Sequence, residues 1–214
     1  MRWKQIIWDW NGTVINDVAL CLDIINGLLL KYEKPVLTLE KYHEVFDFPV
    51  KDYYRRIGFN FEETPFEVVG TEFMQQYWQR WNTCGLHVGV FELLQNLKEY
   101  QIPQTIISAA ETRLVQAGIE HFKLTRIFDE LLGLDHHYAT SKEGLVVEFV
   151  DAAYALPSEI LFIGDTLHDY HVAQNADVAC ILFAGGHHPA DKLRQSGAPV
   201  FETFADLQEY IYLE

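Results

Sequence analysis

Cysteine is scarce: Cys21, Cys84 and Cys180 stand far apart, are odd in number and form no C-x-x-C pair. This excludes a disulfide framework or a cysteine-rich metal knuckle and predicts buried free thiols in a reducing compartment. Cations are few as well, 16 Lys and Arg against 31 Asp and Glu, for a net charge of −15. Nucleic acids and anionic membranes need clustered Lys and Arg, so neither is an expected partner. No apolar run approaches the roughly 18–20 residues of a membrane span. Arg2 and Lys4 precede only a very short apolar stretch, which is not a secretory leader, and a cytoplasmic protein is expected.

What is present is core material, 49% hydrophobic residues with 22% charged ones. Ile6-Ile7-Trp8 is an apolar run too short for a helix and reads as a buried strand ending at Asp9. Asn11-Gly12 then turns the chain away. In open α/β sheets ligands bind just beyond such carboxyl strand ends.

From Val18 the spacing becomes helical, with Asp17 as N-cap and Pro35 as terminator. Thr38 opens a second helix, residues 50–57 a third, and Thr64-Pro65-Phe66-Glu67 reads as a capping box for a fourth that runs to about Thr83. Past Gly85 strands and helices alternate. Strands are predicted over 103–107, 130–133, 160–163 and 178–183, and helices over 90–97, 111–121, 142–156, 168–176 and 204–212. That alternation implies an α/β fold with a parallel sheet covered on both faces. The expected division is an α/β core domain of residues 1–16 and 85–214, with residues 17–84 inserted as an all-helical cap domain.

Three predicted strand ends carry residues suited to phosphate chemistry: Asp9, Ser108, and Asp165 with Asp169 in Gly164-Asp165-Thr166-Leu167-His168-Asp169. Lys142 opens the helix before the last of these strands. Three carboxylates form an oxygen-rich site of the kind Mg²⁺ prefers. Singly, Asp165 could cap a helix, Ser108 satisfy a turn and Lys142 face solvent; their order and shared location argue for one site.

In these four motifs the chain resembles the haloacid dehalogenase-like (HAD) hydrolase superfamily, of the phosphoglycolate-phosphatase-like type. The resemblance spans the whole chain and implies a Rossmann-like core bearing a helical cap. It implies Asp9 as nucleophile, forming an aspartyl-phosphate, and Mg²⁺ held by Asp9, the Asn11 carbonyl and Asp165, with Asp169 acting through water. It also implies a small phosphorylated metabolite as substrate, its phosphoryl oxygens met by Ser108, Ala109, Lys142 and the Asn11-Gly12 turn. For cap specificity the candidates are His43, Arg55 and Arg56, the arginines as partners for a second anionic group such as a carboxylate.

One position departs from the superfamily pattern. Most of its phosphatases have a second Asp two residues after the nucleophile, which protonates the leaving alkoxide; here that residue is Asn11. An amide has no titratable proton near neutral pH, and general acid–base catalysis contributes about 10²–10⁴-fold. Three readings follow. One is a phosphatase with another acid/base, such as His168 or a cap residue, or with a good leaving group. The second is a metal- and phosphate-binding protein of little turnover, and the third a hydrolase of phosphonate or other bonds. Deamidation at Asn11-Gly12 would supply the missing carboxylate in a fraction of molecules. His136-His137 and His187-His188 read as surface loops, and Trp78 and Trp81 as cap core.

Overall fold

The computed structural model describes residues 2–134 and 142–213, so the expectation for His136-His137 falls outside the described residues. Six strands form a parallel sheet in the order β5-β4-β1-β6-β7-β8, where β1 is Gln5–Trp8, β4 Gln104–Glu111, β5 Glu130–Leu134, β6 Ile160–Gly164, β7 Ala179–Phe183 and β8 Val200–Phe201. The central strands are apolar throughout because both faces are covered; Ile6, Ile7, Trp8, Ile163 and Phe162 are fully buried. One apolar cluster under the sheet includes Trp8, Ile106 and Ile163, and the cluster on the opposite face includes Ile7, Val146 and Phe162.

Helices α1 (Val18–Lys31), α2 (Leu39–Val45), α3 (Val50–Arg56) and α4 (Phe66–Arg80) pack round a third cluster built on Ile24, Leu28, Tyr54 and Val69. Both chain crossings into this helical segment run through a small antiparallel pair, β2 (Ile15–Asn16) with β3 (Gly85–Leu86). Two-residue strands carry no periodicity, and the sequence pattern does not reveal them.

Local expectations fail where tertiary contacts compete. Asp17 stands at the N-cap of α1 but makes no cap hydrogen bond, its carboxylate being drawn to Gly12 and Asn11. The Thr64 capping box does not form, since Pro65 takes the cap position of α4. The fourth strand continues past Ser108 to Glu111 through a register shift after Ile107, so Ser108 lies inside it. The helix after Lys142 ends at Ala152 rather than Leu156, with Pro157 holding the preceding chain extended. Trp78 is 36% exposed rather than cap core, whereas Trp81 packs partly buried where two clusters meet. His187 and His188 are both buried, not on a surface loop.

The remaining helices α5 (Val90–Glu99), α6 (Thr112–His121), α7 (Glu143–Ala152), α8 (Leu167–Asn175), α9 (Ala190–Leu193) and α10 (Phe204–Leu213) belong to the sheet's covering layers. Among the described residues no helix is long and apolar enough to cross a membrane.

Candidate active site

Asp9, Ser108 and Asp165 arrive at one place because β1, β4 and β6 are adjacent in the sheet. Asp9 is still tethered to the ladder, its N–H donating to the Ile163 carbonyl at 2.9 Å, so its carboxylate projects from a fixed strand end. Asp9, Asp165 and Asp169 are all buried, and one oxygen of each falls within 4.8 Å of the others. Lys142, 2% exposed, reaches into this group and donates to Asp9 and, at 2.7 Å, to Asp169.

Two of these carboxylates are immobilised by hydrogen bonds, Asp169 within its own turn and Asp165 from distant loops. Asp169 Oδ2 accepts from the Thr166 N–H, the Thr166 hydroxyl and the Asp165 N–H, closing a capping box at the start of α8. Asp165 accepts from the Thr13 hydroxyl at 3.0 Å and the His187 N–H at 2.6 Å. A Cβ at Gly12 (φ +75°) or at Gly186 would strike the Asp165 carboxylate, so both positions need glycine for close approach.

Burial pushes Asp9 up to about 6 and Asp165 up to about 8, each reinforced by the neighbouring carboxylates and only partly relieved by Lys142 or His187. Burial works against charge on Lys142 too, yet Asp169 and Asp9 hold its ammonium above the usual lysine range. Three carboxylates facing one ammonium leave a net negative pocket of hard oxygens. With the glycine cradle round Asp165, this donor set fits a divalent cation such as Mg²⁺.

Ser108 Oγ accepts from the Ala110 N–H at 3.1 Å, which leaves its hydroxyl proton for an incoming oxygen. Ser108, Ala109, Asn11, Lys142 and His168 line the same cavity, about 440 Å³ in volume. Gly12 is otherwise engaged. Its N–H donates to Asp17 Oδ1 and the Ile15 carbonyl, so it supplies room rather than a phosphate contact. The Asn11 amide is also committed, donating to Asp17 Oδ2 and Tyr77 Oη, both at 2.7 Å.

Deamidation needs the Gly12 nitrogen to attack the Asn11 carboxamide, and both groups are held in these hydrogen bonds. Asn11 is therefore expected to stay an amide in the native protein. Peptide mass spectrometry should find the acid form only after incubation in denaturant.

The expected specificity residues are not on the cavity wall. Arg55 pairs with Asp52 at 2.6 Å on the exposed face of α3. Arg56 turns to Asp47 and the Val45 carbonyl, and His43 packs beside Tyr42. Each guanidinium is directed to a carboxylate of the helical segment, at 2.6 Å for Arg55 and 3.7 Å for Arg56.

What the sequence pattern did not signal is the group beside Asn11. Asp17 is fully buried, with Tyr77 Oη at 2.7 Å and His187 Nε2 at 3.4 Å, while His187 Nδ1 meets the Tyr42 hydroxyl at 2.8 Å. Burial opposes charge on His187, but Asp17, Asp165 and Asp9 carry it up to about 9. Asp17 is held below the usual carboxylate range despite its burial, by His187, Asn11 and Tyr77.

A family model described as haloacid dehalogenase-like hydrolase matches residues 6–183. Among curated relatives, the phosphoglycolate phosphatase of Haemophilus influenzae (strain 86-028NP) is 25% identical over 217 residues, covering 96% of this chain and 97% of its own. That of Pseudomonas syringae pv. syringae (strain B728a) is 24% identical over 192 residues, covering 86% and 71%. A solved structure described as a predicted phosphatase from Clostridium acetobutylicum superposes with a TM-score of 0.85 at 19% identity, over 99% of both chains. A haloacid dehalogenase-like family hydrolase from Streptococcus pneumoniae gives 0.84 at 14% identity, over 98% of this chain and 99% of its own. Those two structures support the fold, and the family model covers most of the chain. The protein belongs to the haloacid dehalogenase-like hydrolases.

Proposed function

We propose that this protein is a Mg²⁺-dependent phosphatase that hydrolyses a small phosphate monoester through an aspartyl-phosphate on Asp9. The observation that carries the reading is the buried cluster of Asp9, Asp165, Asp169 and Lys142 at adjacent strand ends. The curated relatives named phosphoglycolate phosphatases support it.

Asp9 and Asp165, with the Asn11 carbonyl, would hold the cation. Asp169 would act on it through water, because Lys142 and the Thr166 donors already occupy both its oxygens. Bound Mg²⁺ supplies positive charge against the phosphoryl oxygens, which a carboxylate nucleophile would otherwise repel. Asp9 then attacks phosphorus, covalent catalysis dividing one displacement into two easier ones. Lys142 orients the Asp9 carboxylate and offsets its charge. Ser108 Oγ–H, with the backbone beside Ala109, donates to the phosphoryl group.

The test is phosphate release from an aryl phosphate with Mg²⁺, abolished by chelation and restored by Mg²⁺. A second readout is thermal. Asp9 and Asp165 have raised folded-state values, so without metal these two groups hold more protons in the folded chain than in the unfolded one between pH about 4 and 8. Their contribution to stability therefore falls as pH rises through that window. Millimolar Mg²⁺ is expected to raise Tm in EDTA-treated protein more at pH 8 than at pH 5.5. Equal shifts at both values, or none, would count against the site.

A further inference from the structure

The cavity above Asp9 extends into the helical segment, and its far wall is aromatic: Phe46, Phe48, Tyr53, Tyr54, Phe66 and Phe73 all line it. Positive charge is nearly absent there. Among the described residues no arginine lines the cavity, and of the two lysines that do Lys142 is committed to Asp9 and Asp169. The other, Lys51, holds its ammonium 5.7 and 5.6 Å from the ring centroids of Phe61 and Phe66. The His187 imidazole is engaged by Asp17 and Tyr42. Glu67 and Glu111 add carboxylates to the same lining, that of Glu111 paired by Arg113.

A leaving group bearing a carboxylate would thus meet only the exposed Lys51 and, among the described residues, no buried cation free of a carboxylate, and burying a poorly paired charge is disfavoured. An aromatic ring gains instead, since it can pack edge-to-face or offset against these rings. One neutral polar group is also accommodated. The Tyr53 hydroxyl, on a side chain 3% exposed, has no hydrogen-bond partner among the described residues.

A second, independent observation bears on the bond that breaks. Asn11 occupies the position of the usual proton donor, cannot give up a proton, and is tied to Asp17 and Tyr77. The ester oxygen must therefore depart without a proton from this residue. A phenolic oxygen tolerates this, its conjugate acid having a pKa of about 10 like that of tyrosine. An alkoxide is far more basic and does not.

We propose that the substrate is an aryl phosphate, the monoester of a phenol-type alcohol with no second anionic group, its ring seated among the aromatic residues above Asp9. This deepens the phosphatase reading and rests on it. Asp9 forms a bond to phosphorus while the bond from phosphorus to the ring oxygen breaks, its electron pair leaving on the phenolate, which takes a proton from solvent. Water then adds to phosphorus and the bond to Asp9 breaks, returning that pair to the carboxylate. The hydroxyl stays on phosphate and the second proton goes to solvent. The sum is aryl phosphate plus water to phenol plus inorganic phosphate.

The test compares kcat/KM with Mg²⁺ for phenyl phosphate, cyclohexyl phosphate and phosphoglycolate. Phenyl phosphate is expected to exceed each of the others by on the order of 10² or more, the scale of a missing general acid. Cyclohexyl phosphate is expected to compete with it at similar concentrations, because the cavity accepts its bulk. The substitution Met74→Arg, at a half-buried cavity position, is expected to narrow the gap between phenyl phosphate and phosphoglycolate at least about tenfold by adding a less exposed cation. Phosphoglycolate turned over as well as phenyl phosphate by the unaltered protein overturns the aryl proposal and leaves the phosphatase reading standing. Failure of all three esters, with no phosphate carried on Asp9, overturns both.

Discussion

Asp9→Asn is expected to lower phosphate release by a factor on the order of 10⁴ or more while raising, not lowering, Tm at pH 7.5. The rate loss follows from chemistry: the amide keeps the shape and the tether to β6, but it cannot form an acyl phosphate. The gain in stability follows from burial. The folded protein holds the Asp9 carboxyl up to about 6, mainly because burial penalises its charge. A carboxyl raised in this way favours the fold most below its unfolded value near 4, and that contribution is lost as pH climbs through about 6. Asparagine has no such charge to bury. Phosphate release and a melting curve on the same preparation separate a nucleophile from a structural residue, since a structural aspartate would lose stability on substitution. Retention of even a few per cent of activity by Asp9→Asn would remove it from the reaction.

Lys142→Met is the second large effect, and it runs the other way in stability. Lys142 is buried between Asp9 and Asp169, with Phe162 beneath its ammonium at 5.1 Å. Methionine fills much the same volume but leaves the two carboxylates facing each other with no cation. Breaking a buried ion pair by removing one partner typically costs about 3–5 kcal/mol. The loss should be largest at pH 8, and smaller at pH 5, where protonation of Asp9 relieves the repulsion. Urea denaturation at the two pH values checks this, and a pH-independent loss would mean that packing, not charge, dominates. Phosphate release should fall with it, and Lys142→Arg should recover stability in part, because the wider guanidinium does not fit the same gap.

The parts of this site that could be read from the sequence are those created by local chain chemistry. Asp9 and Asp165 each end a short, continuous apolar run and precede a turn, so strand, carboxylate and strand end were evident together. Lys142 and Ser108 were legible only by order along the chain, and Ser108 proved to lie within a bulged strand, not at its end. Asp17 takes the expected N-cap position of α1, but its side chain does not cap, because the Gly12 N–H and the Asn11 amide compete for the same carboxylate. His187 carried no readable signal. Its position depends on how the loop after β7 folds back onto Gly12 and Asp165, contacts that span more than 20 residues. The same holds for the arginines of α3: charge type is visible in a sequence, but the counter-ion each one meets is not.

The bond between Tyr77 and Asp17 has a mechanical consequence. Tyr77 belongs to α4 of the helical segment, while Asp17 is fastened to the turn that follows the nucleophile. A helical segment that swings outward must pull this hydroxyl from a buried carboxylate, and a hydrogen bond to a charged group contributes about 1.5–3 kcal/mol. Tyr77 is in effect a latch whose keeper is the reaction loop itself. Opening the entrance and loosening the residue beside Asp9 become one event, so the loop is stiffest when the door is shut.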